Sequence, residues 1–319
     1  MGSADESRKD LRLIQVDLID PNPDNPRLVF RQSELEDLTA SIRKLGVQVP
    51  ISVYRKDGRY VLIDGERRWR CSRKLNLSKI PAIIQDEPDP LSNLLMMFNI
   101  HALREQWDLL TIAIKLPKII KMIEQKSGVR PTESMVAEET GLSRGLIRRC
   151  KLLMDMPDRF KDLLMEELGK PVAQQKLSED FFIEMEKALK SARNAMPMAI
   201  QDVDEVRNVL LQKYRDGVIR NVLDLRKIPK IARASKVDAD PKQARAALKS
   251  LFTPNDVSVV DAFESSVAHA YAERDTLARV SKLSETLLSL EEDELDEHLK
   301  NALSSLAQSI SRILEGEEA

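Results

Sequence analysis

The stretch Asp64-Gly65-Glu66-Arg67-Arg68-Trp69-Arg70-Cys71 holds the densest set of chemistry-bearing side chains in this 319-residue chain. An apolar run, Tyr60-Val61-Leu62-Ile63, leads into Gly65, and a glycine lets the backbone turn tightly and approach a ligand closely. The residues after it read as a helix start, whose free N–H groups and positive dipole end favour an anion. Arg67, Arg68 and Arg70 then supply planar forks that match pairs of phosphate oxygens. The chemistry in outline is phosphate binding. In isolation, a basic run on a solvated helix face would look the same.

A second constellation lies between Thr132 and Met154. Thr132 can cap a helix through Ser134 to Glu139, Gly141 can make a turn, and Ser143 can cap a second helix, Arg144 to Leu153. That is helix-turn-helix spacing, with Val136, Ala137, Leu142, Leu146 and Ile147 expected to pack the two helices together. A recognition helix meets the major groove with its N-terminal half, where arginine reads guanine and a capping hydroxyl meets phosphate. Ser143, Arg144, Arg148, Arg149 and Lys151 are therefore the candidate DNA contacts. A plain αα-hairpin with a basic outer face is the other reading.

These residues need a scaffold, and the hydropathy pattern supplies one. Val49 to Tyr54, a turn at Lys56-Asp57-Gly58-Arg59 and the run Tyr60 to Ile63 predict a β-hairpin, and Ile80 to Ile84 predicts a further strand. After Leu91 the pattern is helical almost throughout. With 42% apolar and 32% charged residues the chain can bury at least one core. Cys71 and Cys150 are the only cysteines, so no disulfide framework is needed and the cytoplasm is the expected compartment. No run approaches the roughly 18 to 20 apolar residues of a membrane span. His101, His269 and His298 stand apart from one another and from both cysteines, so no metal-ligand spacing appears. Ser284 to Ala319 carries ten acidic residues against Lys300 and Arg312, which leaves the remainder with 48 basic and 42 acidic residues. A basic body with an acidic tail suits a nucleic-acid binder whose tail has another task.

Four boxes, in order, carry a family resemblance. Pro21-Asn22-Pro23-Asp24-Asn25-Pro26-Arg27 resembles the opening N-P-x-x-P-R box of the ParB family of CTP-dependent DNA clamps, and Leu35 to Gly46 resembles its first helix. Val49-Pro50-Ile51-Ser52-Val53 is similar to its Q-P-I-x-V strand, and Gly65 to Cys71 matches its G-E-R-R-x-R-A phosphate motif at six of seven positions. The resemblance implies an α+β N-terminal ParB/sulfiredoxin-like domain followed by all-α helix-turn-helix and helical C-terminal regions. The expected organisation is a disordered leader over 1–10, a nucleotide-binding domain over 11–90 and a helical domain over 91–170 with the helix-turn-helix at 132–154. Further helices follow over 171–234, then a linker with a short helix over 235–257, and acidic helices over 258–319.

Carried over residue by residue, the resemblance places Gly65, Glu66, Arg67, Arg68, Arg70 and Asn99 on a triphosphate, with CTP as the implied ligand. It implies double-stranded DNA as partner, a homodimer, a ParA-type ATPase as a further partner, and a place on the nucleoid or a plasmid. The chain also departs from the family. Its second phosphate motif, E-N-x-x-R, is here Phe98-Asn99-Ile100-His101-Ala102, with Arg104 a partial substitute for the missing arginine. Phenylalanine offers no oxygen to Mg2+, so hydrolysis is expected to be very slow or absent, and Phe98→Glu is expected to raise it. Tyr54 stands where the base-side strand carries arginine, which leaves cytosine selectivity open. No catalytic residue and no metal ligand is assigned.

Two other functions fit the same letters. One is a helix-turn-helix transcription regulator with a vestigial nucleotide site; the other is a phosphoryl-transfer enzyme on the ParB/sulfiredoxin fold. Sulfiredoxin itself is disfavoured, because Glu66 stands where its reactive cysteine would lie. At the C-terminus, Leu295, Leu299, Leu303, Leu306, Ile310 and Ile313 form an apolar stripe that must bury itself against the protein's own core or a second copy.

Overall fold

The structure, a computed structural model, describes residues 10–23, 25, 30–101, 108–290 and 296–315. Its N-terminal part is a five-stranded mixed sheet built from β1 (Asp10–Gln15), β2 (Ile19–Asp20), β3 (Ile51–Lys56), β4 (Arg59–Asp64) and β5 (Lys79–Gln85), in the order β1-β5-β3-β4-β2. β3 and β4 form the expected hairpin, closed by Asp57 and Gly58 at φ +49° and +80°. Two successive positive φ angles give a turn whose twist matches that of the strands it joins. Along β4 the side chains alternate. Tyr60 and Leu62 join Ile51, Val53, Ile80 and Trp69 on one face, while Val61 and Ile63 join Tyr54 and Met96 on the other.

Two helices complete this part, α1 (Gln32–Leu45) and α2 (Glu66–Lys74). Gly46 ends α1 at φ +71° and ψ −177°, a backbone region open essentially to glycine, and its N–H donates to the Ile42 carbonyl. Trp69 anchors α2: it is 4% exposed and its indole N–H donates to the Val16 carbonyl at 3.3 Å. Burying a ring of that size removes a large apolar area from water while the one polar atom keeps a partner.

The rest of the chain is helical, and no strand follows β5 among the described residues. α3 (Pro90–His101) packs on β4, and α4 (Leu109–Ser127) packs on α6 (Arg144–Met154), which in turn packs on α5 (Glu133–Thr140). α7 (Asp158–Gly169), α8 (Glu179–Ala195), α9 (Val203–Arg215), α10 (Ile228–Ala232) and α11 (Pro241–Leu251) follow, then α12 (Val259–Glu264), α13 (Ala268–Leu288) and α14 (Glu297–Glu315). The chain divides into two compact units. The first is Met1–Ser191 with Asp202–Arg226, and the second Ala192–Gln201 with Lys227–Ala319.

In the first unit, Phe181, Phe182, Met185 and Leu189 of α8 are all buried, as their helical spacing predicts, and Phe181 stacks on Tyr214 of α9 at 4.4 Å. In the second, α11 buries Ala244, Leu248 and Leu251. α13 and α14 bury no residue fully. No described helix is long and apolar enough to cross a membrane.

Two strands went unread in the sequence. β1 turns Leu11 and Leu13 outward, 61% and 66% exposed, and only Ile14 and the following Val16 inward, so its apolar letters do not mark the buried face. β2 is two residues long.

Candidate nucleotide site and nucleic-acid interface

β4 delivers the chain to Gly65, which takes φ +95° and ψ 23° and caps α2 without a side chain. The glycine is obligatory. A Cβ there would lie 2.6 Å from Ile51 Cγ2 and 3.1 Å from the Arg68 guanidinium carbon, in a backbone region that side chains rarely tolerate. Because no side chain caps this end, the first-turn N–H groups of α2 are left to solvent or to an anion.

The charged side chains that follow have separate tasks. Arg68 faces inward: Nη1 donates to the carbonyls of Val49, at 2.7 Å, and Pro50, and Nη2 pairs with Asp64 at 2.9 Å. Its guanidinium thus ties the loop before β3 to the start of α2. Arg67 reaches α1, 3.3 Å from both the carbonyl and the carboxylate of Glu34. Arg70 donates through Nε to Glu66 at 2.8 Å and lies over the Phe30 ring, 4.1 Å from its centroid. Glu66, only 9% exposed, also accepts from the Asn25 side-chain amide. Asn22 is buried and donates to the Leu62 carbonyl at 2.9 Å, so the proline-rich box is fastened to β4 behind the site.

Beside Arg70 the basic face of α2 opens into a cavity of about 560 Å³ lined by Arg70, Arg73 and Lys74 with Gln32, Leu35 and Thr39 of α1. That volume is in the range of small-molecule sites. Arg73 and Lys74 were not singled out in the sequence, although the continuation of the basic run along α2 was there to read. Phe30 and Asn25 carried no signal of their own.

Of the second phosphate box, Asn99 lies on α3 but its side chain is outside the described residues, as are Ala102 and Arg104. Phe98 is described and has no solvent exposure. A glutamate there would be buried in the core, so the expectation that Phe98→Glu restores a metal ligand is corrected. Among the described residues no group of three or more His, Cys, Asp or Glu could hold a metal ion.

The second constellation folds as paired helices. Thr132 accepts from the Met135 N–H at 3.3 Å, Gly141 ends α5 at φ +73°, and Ser143 accepts from the Leu146 N–H at 3.1 Å. Val136, Leu142 and Ile147 are buried between the helices with Thr140, Cys150 and Leu153, while Ala137 and Leu146 are half-buried. Burial pushes the Cys150 thiol up to about 12, which makes it an inert core residue. Ser143, Arg144 and Arg148 are exposed on α6. Arg148 Nε and Lys151 Nζ both pair with Glu133, at 3.0 and 2.9 Å, and hold its carboxyl below the usual range. Arg149 pairs with Asp180 of α8 at 2.5 Å. These two carboxylates went unread in the sequence, lying 15 and 31 residues from their partners.

Residues 2–99 match the ParB N-terminal domain. The chain is similar to the chromosome-partitioning protein ParB of Caulobacter vibrioides, 30% identical over 153 residues, 47% of this chain and 48% of that protein. It is also similar to the nucleoid occlusion protein of Bacillus pumilus, 25% identical over 246 residues, 76% of this chain and 74% of that one. A solved neighbour is the C-terminally truncated ParB from Caulobacter crescentus complexed with CTP-gamma-S, 26% identical, with a TM-score of 0.29, covering 56% of this chain and 92% of that one. The chain spans about half the length of the first curated relatives it matches.

Proposed function

Through residues 2–99 this chain belongs to the ParB N-terminal domain family, and from that premise we propose that it is a nucleotide-gated, sequence-specific DNA-binding protein acting in chromosome or plasmid partition or nucleoid occlusion. The observation that carries the reading is the presence, in one compact unit, of a glycine-capped helix start, of a basic cavity along the later turns of the same helix, and of a capped helix-turn-helix with exposed Ser143 and Arg144. The ligand is a nucleoside triphosphate, CTP by family, held by the α2 N–H groups, Arg67, Arg70 and Asn99. Arg68 and Glu66 position that first turn through the contacts described above. With Phe98 buried, Mg2+ has no ligand at that position, and turnover is very slow.

The partner is double-stranded DNA, read from the α6 side, and the protein acts on the nucleoid or on a plasmid with a ParA-type ATPase. The stripe of α14 supports a homodimer. Leu306, Ile310 and Ile313 are 36%, 47% and 79% exposed, and a helix in a protein draws most of its stability from packing such an apolar face. Leu295, at the head of the stripe, lies outside the described residues. A self-complementary pairing of two such helices closes a twofold dimer.

A second reading, a helix-turn-helix regulator with a vestigial nucleotide site, is favoured by one observation: the Arg68 guanidinium is engaged with protein oxygens. Calorimetry decides between them. Binding of CTP, with magnesium and with DNA present, is expected for the first reading. Absence of binding by CTP, ATP, GTP and UTP alike would leave the regulator. No observation favours a phosphoryl-transfer enzyme.

A further inference from the structure

Of the five cations on α6 and its approach to DNA, three are already occupied. Glu133, at the first position of α5, divides its two oxygens between Arg148 and Lys151, and Asp180 of α8 takes Arg149. Only Arg144 is exposed on the helix without an ion pair among the described residues; the fifth, Arg130, precedes the capped turn. From this arrangement we infer that Glu133 and Asp180 are specificity-determining residues, which hold the recognition-helix cations back from arbitrary phosphates and release them only to a groove that replaces the carboxylates.

The physics runs in two steps. Any exposed lysine or arginine adds to sequence-independent affinity, because phosphate neutralisation releases counterions whatever the bases are. A helix with four free cations would therefore bind all DNA well and discriminate poorly. Discrimination is a difference of affinities and is raised as effectively by penalising the wrong partner as by improving the right one. A carboxylate already paired with the cation supplies that penalty, since a phosphate that displaces it leaves a negative charge beside the DNA backbone. The pairs are partly exposed, Arg148 by 59% and Arg149 by 41%, and exposed pairs are weak. They can be exchanged for a well-placed base edge or phosphate, which an enclosed pair could not. The inference rests on the DNA-binding reading above and adds to it the residues that set the ratio of specific to non-specific binding.

The test compares the full-length protein with Glu133→Gln and with Asp180→Asn, each of which keeps shape and removes one charge. Glu139→Gln is the control: it removes the same charge from an exposed position on α5 that makes no ion pair among the described residues. Anisotropy titrations use a random-sequence duplex and a duplex selected by the unmodified protein from a random pool, each over a series of salt concentrations. For the random duplex, Glu133→Gln is expected to bind roughly three- to tenfold more tightly at 0.1 M salt, with a log-affinity slope against log salt steeper by about one to two. Asp180→Asn should give a smaller change in the same direction, Glu139→Gln little, and the ratio of selected to random affinity should fall in the first two.

Unchanged random-duplex affinity in both variants would overturn the inference while the DNA-binding reading stands. Weaker binding to both duplexes would overturn it differently, by showing that the carboxylates position the cations. Failure of the unmodified protein to bind any duplex at low salt would remove the DNA-binding reading itself, and the inference with it.

Discussion

A guanidinium serves a phosphate only if its donors can be turned toward it, and this separates Arg68, 19% exposed and tied to three protein groups, from Arg67 and Arg70, 33% and 45% exposed and each paired with one glutamate. Arg67→Ala is expected to lower triphosphate affinity by about tenfold to a hundredfold, as for the loss of a charge-assisted hydrogen bond, with the melting temperature little changed, whereas Arg70→Ala lowers affinity similarly and also destabilises by leaving the 9%-exposed Glu66 carboxylate without its cation. Arg68→Ala should do the reverse of Arg67→Ala. It leaves the carbonyls of Val49 and Pro50 and the carboxylate of Asp64 without their donor, in a setting where Arg68 is 19% exposed, at a cost of about 1–3 kcal/mol. Calorimetry for binding and thermal denaturation for stability tell the two apart. Phe98→Glu belongs here too: with the ring fully buried, it should cost about 3–5 kcal/mol, readable as a lowered denaturant midpoint, and create no triphosphatase. The motif letters located Gly65 and its arginines. They could not say which way each guanidinium turns, because Arg68 is claimed by the Val49 and Pro50 carbonyls across a loop that the motif does not contain.

At the scale of elements, caps and alternation were legible wherever the physics is local. Thr132, Gly141 and Ser143 mark the ends of α5 and α6 because each satisfies backbone groups within four residues of itself, and the β3–β4 hairpin is written by its own turn. β1 is set by pairing with β5 nearly seventy residues away, and its sequence shows nothing of that. The same holds for Glu179 at the start of α8. Its Oε1 accepts from the Leu110 N–H at 2.6 Å, and burial, with Asp108 and Asp180 nearby and against the pull of Arg149, pushes its carboxyl up to about 7. A carboxyl whose folded pKa lies above its unfolded value stabilises the fold most below about pH 4.5 and loses that contribution as pH rises through 7. Glu179→Gln should therefore flatten the pH dependence of stability between pH 5 and 8, with a gain of up to about 3 kcal/mol above pH 7. Urea titrations of both proteins across that range measure it.

For the whole molecule, the testable consequence lies in α14. If its stripe closes a dimer, Leu306→Lys with Ile310→Lys should halve the mass seen by sedimentation and leave nucleotide binding intact, since neither residue is in the unit that carries Gly65. An unchanged mass would assign the dimer, or its absence, to other surfaces.

The division of the chain adds a constraint on its synthesis. The first unit is not one continuous stretch: the polypeptide leaves it at Ala192, returns at Asp202 and leaves again at Lys227. On a ribosome, which issues the chain from its N-terminus, Phe181 emerges before Tyr214, the ring it stacks on. Until α9 is out, α8 has an uncovered aromatic flank, the kind of surface that chaperones hold. A gene fragment ending near residue 200 would keep that exposure permanently. Soluble pieces carrying both sites should therefore extend at least to Arg226, and shorter ones should be recovered mainly as aggregates.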